Sequence, residues 1–259
     1  YRTLYQFLLS IKRHSIEKNS TIIIYDLGLS PKQLLKLNEK FNASYFQFRS
    51  YKVTHNIHTF HWKPLIISSL LEEFNKPILW LDSATVILQS LDTIFNHIRQ
   101  TGIYTPIAGS GQYLDRLHSK TIAYLKIPAT ILKKRNRAGG YCGFSPQNTH
   151  ILKLVNEWAN LSQIPECIAP SGSTGQTHRY DQALLTYLLY KYETEGKLTL
   201  TQDELDISST RPIPYTRTRN KVPNWIPIWM DPFVRAYFKT YRFLDVLTLR
   251  IKHLLYSKN

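Results

Sequence analysis

Helix and strand patterns alternate through the first 82 residues, and this feature most constrains the fold. Leu4, Phe7, Leu8 and Ile11 recur at helical spacing, which predicts a helix within 1–17. Thr21 to Tyr25 is a β-branched run, too short for a helix, that ends in Asp26-Leu27-Gly28 and reads as a buried strand. Ser30-Pro31 then supplies an N-cap and a first-turn proline for a helix to about Phe41. Ser44 to Phe48 reads as a second strand, Lys63 to Phe74 as a helix and Ile78 to Leu81 as a third strand. This alternation predicts an α/β fold with a mainly parallel sheet and right-handed crossovers. Asp26 and Asp82 both stand at carboxyl ends of expected strands. In a doubly wound sheet that places them at one crevice. A pattern that opens with a helix also implies a further strand upstream, which would contribute to that crevice.

The middle of the chain is less regular. Gly102 to Pro106 reads as a strand and Gly109-Ser110-Gly111 as a flexible loop. A basic run from Lys133 to Arg137 leads into Ala138-Gly139-Gly140-Tyr141-Cys142-Gly143-Phe144. Ile151 to Leu161 reads as a helix. The loop from Pro170 to Thr177 precedes His178-Arg179-Tyr180-Asp181-Gln182, which opens a helix to about Tyr192. From Pro223 the composition turns Pro- and Trp-rich. The expected organisation is one domain over 1–222 and a basic, aromatic, helical extension over 223–259.

Charge narrows the partners. The 259 residues carry a net charge of +15, which suits nucleic acid, an anionic membrane or a small anion such as a nucleotide diphosphate. No zinc-finger spacing, helicase motif or RNA-binding aromatic signature occurs, so nucleic acid is not expected. Two cysteines, Cys142 and Cys167, exclude a disulfide framework and a thiolate zinc site, and they are expected as free thiols in a reducing compartment. No signal peptide opens the sequence and no apolar run reaches the roughly 18–20 residues that span a bilayer. The expected setting is the cytoplasm. The tail residues 234–256 alternate cations with aromatic and aliphatic residues. They fit a helix packed on the domain, or one lying on the anionic inner face of a membrane.

Four motifs carry a resemblance. Trp80-Leu81-Asp82-Ser83-Ala84-Thr85 resembles the strand-end Leu-Asp-x-Asp-Thr of GT-A glycosyltransferases, such as the glycogenin-like and lipopolysaccharide galactosyltransferases. With Tyr25-Asp26-Leu27-Gly28-Leu29, Trp62-Lys63-Pro64 and His178-Arg179-Tyr180-Asp181-Gln182, in that order, the set is similar to a glycosyltransferase-like family of bacteria, nematodes and algae. Its motifs read Tyr-Asp-x-Gly-Leu, Trp-Lys-Pro, Leu-Asp-Ser and His-Arg-x-Asp-Gln. The match spans about residues 1–195.

The resemblance implies a GT-A, Rossmann-like fold and transfer of a sugar from a nucleotide-diphosphate donor. The acceptor would be a hydroxyl on a glycan or a lipid-linked carrier, as in cell-surface polysaccharide synthesis. It assigns donor binding to Tyr25, Asp26, Gly28, Lys63, Asp82, Ser83 and Arg137, and sugar or acceptor contact to Gly139, Gly140, His178, Arg179 and Gln182. Asp181 and Asp82 become the catalytic candidates. Ala84 replaces the second carboxylate of the family motif. That leaves two alternatives: manganese or magnesium on Asp82, or no metal, with Lys63, Arg135, Arg137 or Arg179 offsetting diphosphate charge. A non-catalytic nucleotide-sugar or glycan-binding module is the rival reading. His55, His58 and His61 read as a polar loop at the cleft mouth rather than a metal cluster.

Overall fold

The computed structural model describes residues 1–41, 45–53, 56–200 and 214–216. His55 and the extension expected over 223–259 lie outside the described residues.

The amino-terminal half runs α1 (Arg2–Arg13), β1 (Ile22–Asp26), α2 (Pro31–Lys40), β2 (Phe46–Ser50), α3 (Trp62–Phe74), β3 (Ile78–Leu81) and β4 (Thr85–Ile87). Then follow α4 (Asp92–Thr101), β5 (Ile103–Tyr104), β6 (Ile107–Gln112), α5 (Ser119–Leu125) and α6 (Ala129–Leu132). The remainder is β7 (Arg135–Arg137), β8 (Tyr141–Phe144), α7 (Thr149–Leu161), α8 (Pro165–Ile168), α9 (Asp181–Thr194) and β9 (Pro214–Thr216). This is a mixed α/β fold with a parallel strand pair and flanking helices.

Local chemistry explains the boundaries. Ser30 caps α2 as expected: its hydroxyl accepts from the Gln33 amide while the Gln33 side chain accepts from the Ser30 amide, with Pro31 in the first turn. Phe7, Leu8 and Ile11 turn one face of α1 into the core. Helix α3 is apolar over most of its surface, buries Ile66, Ile67, Leu70 and Leu71, and ends at Asn75, which takes the left-handed cap conformation. The loop expected before α3 contains a 3-10 turn, Ile57–Thr59, stabilised where the Asn56 side chain accepts from the His58 amide. Gly109 to Gly111, expected as a loop, lies within β6, whose pairing with β7 is irregular in register. A Gly-Ser-Gly stretch is a turn signal only where the chain must reverse, and here it lies in an irregular strand pair.

Sheet topology sets the site. β1 and β2 pair in parallel, with Ile24 opposite Phe48. β8 runs antiparallel to both β3 and β5. Antiparallel pairing brings the carboxyl end of β3 beside the amino end of β8, so Asp82 lies against Gly139 and Gly140. The Asp82 amide donates to the Gly140 carbonyl at 2.7 Å, extending the ladder past Leu81. β8 has close neighbours on a face as well: a Cβ added at Gly143 would lie 2.2 Å from Cδ1 of Ile98 on α4. Helix α7 packs between α3 and α9, with Trp158 fully buried and its indole N–H donating to the Asp181 carbonyl at 2.9 Å.

Candidate functional site

Ends of four elements meet at one point. Lys63, in the first turn of α3, reaches inward with its side chain 3% exposed. Its Nζ lies 2.8 Å from Oδ2 of Asp181, 3.3 Å from Oδ1 of Asp82, and donates to the Gly139 carbonyl at 3.0 Å. Asp181 is the first residue of α9 and is 4% exposed. Asp82 sits beyond β3 with its side chain 22% exposed, and one of its carboxylate oxygens accepts from the Trp80 indole N–H at 2.8 Å. Asp82 is therefore the outward face of the triad, and Lys63 and Asp181 are its buried support.

The electrostatics follow from burial against pairing. Burial alone would lower the Lys63 pKa, but Asp181 and Asp82 outweigh it and hold the ammonium above the usual lysine range. Asp181 is raised above the ordinary carboxylate range: burial is the larger influence and Lys63 offsets only part of it. The Asp181 Oδ2 contact with Lys63 is a close ion pair, and this buried oxygen has no other hydrogen-bond partner among the described residues. A buried charge triad is a poor way to add stability, because desolvation consumes much of the attraction. Such clusters concentrate at functional sites.

Aromatic rings wall the triad. The ammonium lies 5.4 Å from the ring centre of Phe60 and 5.9 Å from that of Trp80. Trp62 packs between Phe60 and Trp80, and Phe60 also meets Tyr180. Tyr180 adopts φ 48° and ψ −123° immediately before Asp181, a conformation that costs a non-glycine residue roughly 1–3 kcal/mol. Phe60, Trp80 and Tyr180 were not singled out from sequence. Trp80 and Tyr180 stand inside motifs but read as filler positions, and no sequence signal marks a tyrosine for a positive φ.

Other candidates divide by location. Tyr25, Gly28, His58, Trp62, Asp82 and Ser83 line a crevice at the strand ends. Asp26 shapes it indirectly, because its Oδ1 accepts from the amides of Gly28 and Leu29 and fixes the turn. Gly139 and Gly140 hold the triad by close approach: a Cβ would lie 3.0 Å from Cβ of Gln182 in the first case and 3.2 Å from Oδ2 of Asp82 in the second. Gln182 donates to the Arg137 carbonyl at 2.7 Å. Arg137 is buried away from the crevice, donating to the Tyr190 hydroxyl at 3.2 Å and the Thr105 carbonyl at 3.1 Å. His178 is fully buried between the His118 amide and the Cys167 carbonyl, and burial pushes it down to about 4, so it is neutral. Arg179 is half-buried in the turn before α9, where its amide donates to the Arg116 carbonyl. His61 is buried against Thr59. Both cysteines are free and buried.

A divalent cation bridging Asp82 and Asp181 would compete with the Lys63 ammonium for the same oxygens. Among the described residues no three His, Cys, Asp or Glu side chains gather as a metal site. The donor set at the triad therefore does not fit a metal held between these carboxylates while Lys63 keeps its place. Among the described residues, too, no helix is long and apolar enough to cross a membrane.

What fold and site define together is a mixed α/β protein with a charged triad at the strand ends. No family model and no curated protein matches the chain. Solved structures with a related course of chain include a glucose-1-phosphate thymidylyltransferase from Bacillus anthracis in complex with sucrose. It is 10% identical, with 79% of this chain and 75% of that chain covered and a TM-score of 0.43. Another is a glycosyltransferase involved in the glycosylation of the major capsid of PBCV-1, at 14% identity, 78% and 94% coverage and a TM-score of 0.44. Likeness at that distance says nothing of substrate or chemistry.

Proposed function

We propose that this chain transfers a sugar from a nucleotide-diphosphate donor to an acceptor hydroxyl on a glycan or lipid-linked carrier. The observation that carries the reading is the convergence of Lys63, Asp82, Asp181 and Gly139, from separate motifs, within 3.3 Å at a strand-end crevice. Departure of a nucleotide diphosphate leaves negative charge that must be balanced, and a fixed ammonium in a water-poor site does this without reorganising. Lys63 is the candidate for that cation: its ammonium would exchange the Gly139 carbonyl for a phosphate oxygen, and transfer without manganese or magnesium is the expected consequence. Asp82, the accessible carboxylate, meets the sugar or the acceptor hydroxyl. Asp181 anchors Lys63 from behind and sets its charge.

Titration calorimetry with UDP-, GDP- and TDP-sugars tests this. One donor is expected to bind equally well with manganese and with a chelator, and an acceptor glycan to draw turnover. Asp82→Asn should lower turnover roughly 100-fold or more while binding changes little. A folded chain that binds no nucleotide sugar ends the proposal. A binding module without turnover is the second reading, favoured by the burial of Asp181, at 4% exposed, away from any acceptor. Donor binding that no acceptor converts into transfer would select it.

A further inference from the structure

Among the described residues five other than glycine hold φ in the left-handed range: Ser15, Phe60, Asn75, Lys126 and Tyr180. Two of them are aromatic, and those two meet. The rings of Phe60 and Tyr180 lie 6.3 Å apart, with planes tilted by 48°. They come from separate parts of the chain, Phe60 from the end of the 3-10 turn before α3 and Tyr180 from the turn before α9. Glycine takes such a backbone freely and asparagine readily, whereas a bulky aromatic residue takes it only under strain. Packing accounts for part of the choice only, because each ring sits half-buried at the margin of an apolar cluster. Strain held at two positions that touch marks a place built to meet a ligand.

The pair stands at the triad. Phe60 lines the crevice, with the Lys63 ammonium 5.4 Å from its ring centre. Tyr180 immediately precedes Asp181, and an edge-on contact at 5.8 Å with buried His178 fixes its ring. The loop before α9 passes beside it: a Cβ on Gly175 would lie 3.9 Å from Cε2 of Tyr180, and Thr174, Gln176 and Thr177 are exposed.

We infer that Phe60 and Tyr180 form a stacking floor for the acceptor, and that the acceptor presents a pyranose ring there. The inference rests on the transfer reading above. The C–H groups on one face of a pyranose carry partial positive charge, and the faces of aromatic rings are negative, so that apolar face settles on the rings. Hydroxyls around its rim need polar partners. Asp82, with its side chain 22% exposed, can accept from one, and the loop hydroxyls of Thr174 and Thr177 can serve others. The ring geometry argues against a nucleobase in this place. A base gripped between two rings needs them parallel, with about 3.5 Å on either side. Phe60 and Tyr180 touch each other at an angle and make one bent floor. Because Phe60 borders Lys63 and Tyr180 adjoins Asp181, a hydroxyl at the edge of that sugar would lie beside the triad.

Saturation-transfer NMR on the full chain tests this, with the protein's aromatic protons irradiated and methyl β-glucoside, methyl β-galactoside and cellobiose as probes. Transfer is expected to the C–H protons of one ring face of at least one probe. Phe60→Gly and Tyr180→Gly suit the left-handed backbone and remove a ring each, so the melting temperature should hold while the transfer is lost. With an acceptor that supports turnover, its KM should rise roughly tenfold or more in Tyr180→Gly while kcat falls much less. Should a glycine variant fail to fold, Phe60→Asn, which also accepts the backbone of that position, is read in its place. Transfer that survives in the variants overturns the inference, and so does transfer to none of the three sugars in the wild type. Transfer to the base of UMP that the variants lose would give the floor to the nucleotide, which also overturns it. Sugar stacking without nucleotide-sugar binding supports the floor and ends the transfer reading. Nucleotide-sugar binding without stacking does the reverse.

Discussion

Asp181 carries two roles at the residue scale, as the helix-start residue of α9 and as counter-ion to Lys63. Its carboxyl titrates above the ordinary carboxylate range because burial outweighs the pull of Lys63. Protonating it removes half of the negative charge that holds the ammonium. Transfer activity is therefore expected to fall on acidification, at a pH higher than a surface aspartate would give. In Asp181→Asn the residual activity should lose this acidic limb. A pH–rate profile of both proteins checks it, and an acidic limb that survives in the variant counts against the role. His178 bears instead on stability. Its folded pKa is about 4, against 6.5 for the ordinary imidazole, because burial penalises the charged ring. Between these values the unfolded state binds more protons, so stability is intact above pH 6.5 and drains away as pH falls towards 4. The loss is about 3 kcal/mol. Denaturant unfolding at stepped pH should show that slope in the wild type and a flatter one in His178→Gln.

Most of the elements were legible from spacing alone. Ser30-Pro31 marked α2, Ile78 to Leu81 marked β3 and Asp181 marked the start of α9, because each signal is local. The convergence of Lys63 with Asp82 and Asp181 was not legible as geometry, since it depends on β8 running antiparallel beside β3. Nothing near Tyr141 states which strand it will pair with. Arg137 shows the same limit: a basic run reads as a phosphate contact, yet its guanidinium turns inward onto Tyr190. The double glycine before β8 gives a prediction at this scale. In Gly140→Ala the new methyl would press on the Asp82 carboxylate, 3.2 Å away, and shift it off Lys63. Because the backbone there needs no positive φ, the fold should survive. Melting temperature is expected to change by a few degrees only while turnover falls at least tenfold. A variant with full activity would show that Asp82 tolerates displacement.

At the scale of the molecule, the described residues pack into two larger apolar clusters and a smaller one around Trp62, Ile66 and Leu70. The cluster built on α7 and α9 includes Trp158, Leu184, Leu185, Leu188 and Leu189, all fully buried. It fixes the position of Asp181 through the indole of Trp158. By contrast the side built on β1 and β2 packs on the rest through α1 and α3 and borders the crevice. Site geometry is thus anchored firmly from the α9 side and more loosely from the side of β1 and β2. A donor that closes the crevice would meet the less constrained half. The edges of β1 and β3 that no strand among the described residues pairs have one more consequence, for how the protein behaves when concentrated. Rows of free backbone donors and acceptors beside apolar side chains are templates for pairing with other chains. Self-association through edges left uncovered would compete with folding, so whatever covers them also acts as a guard against aggregation.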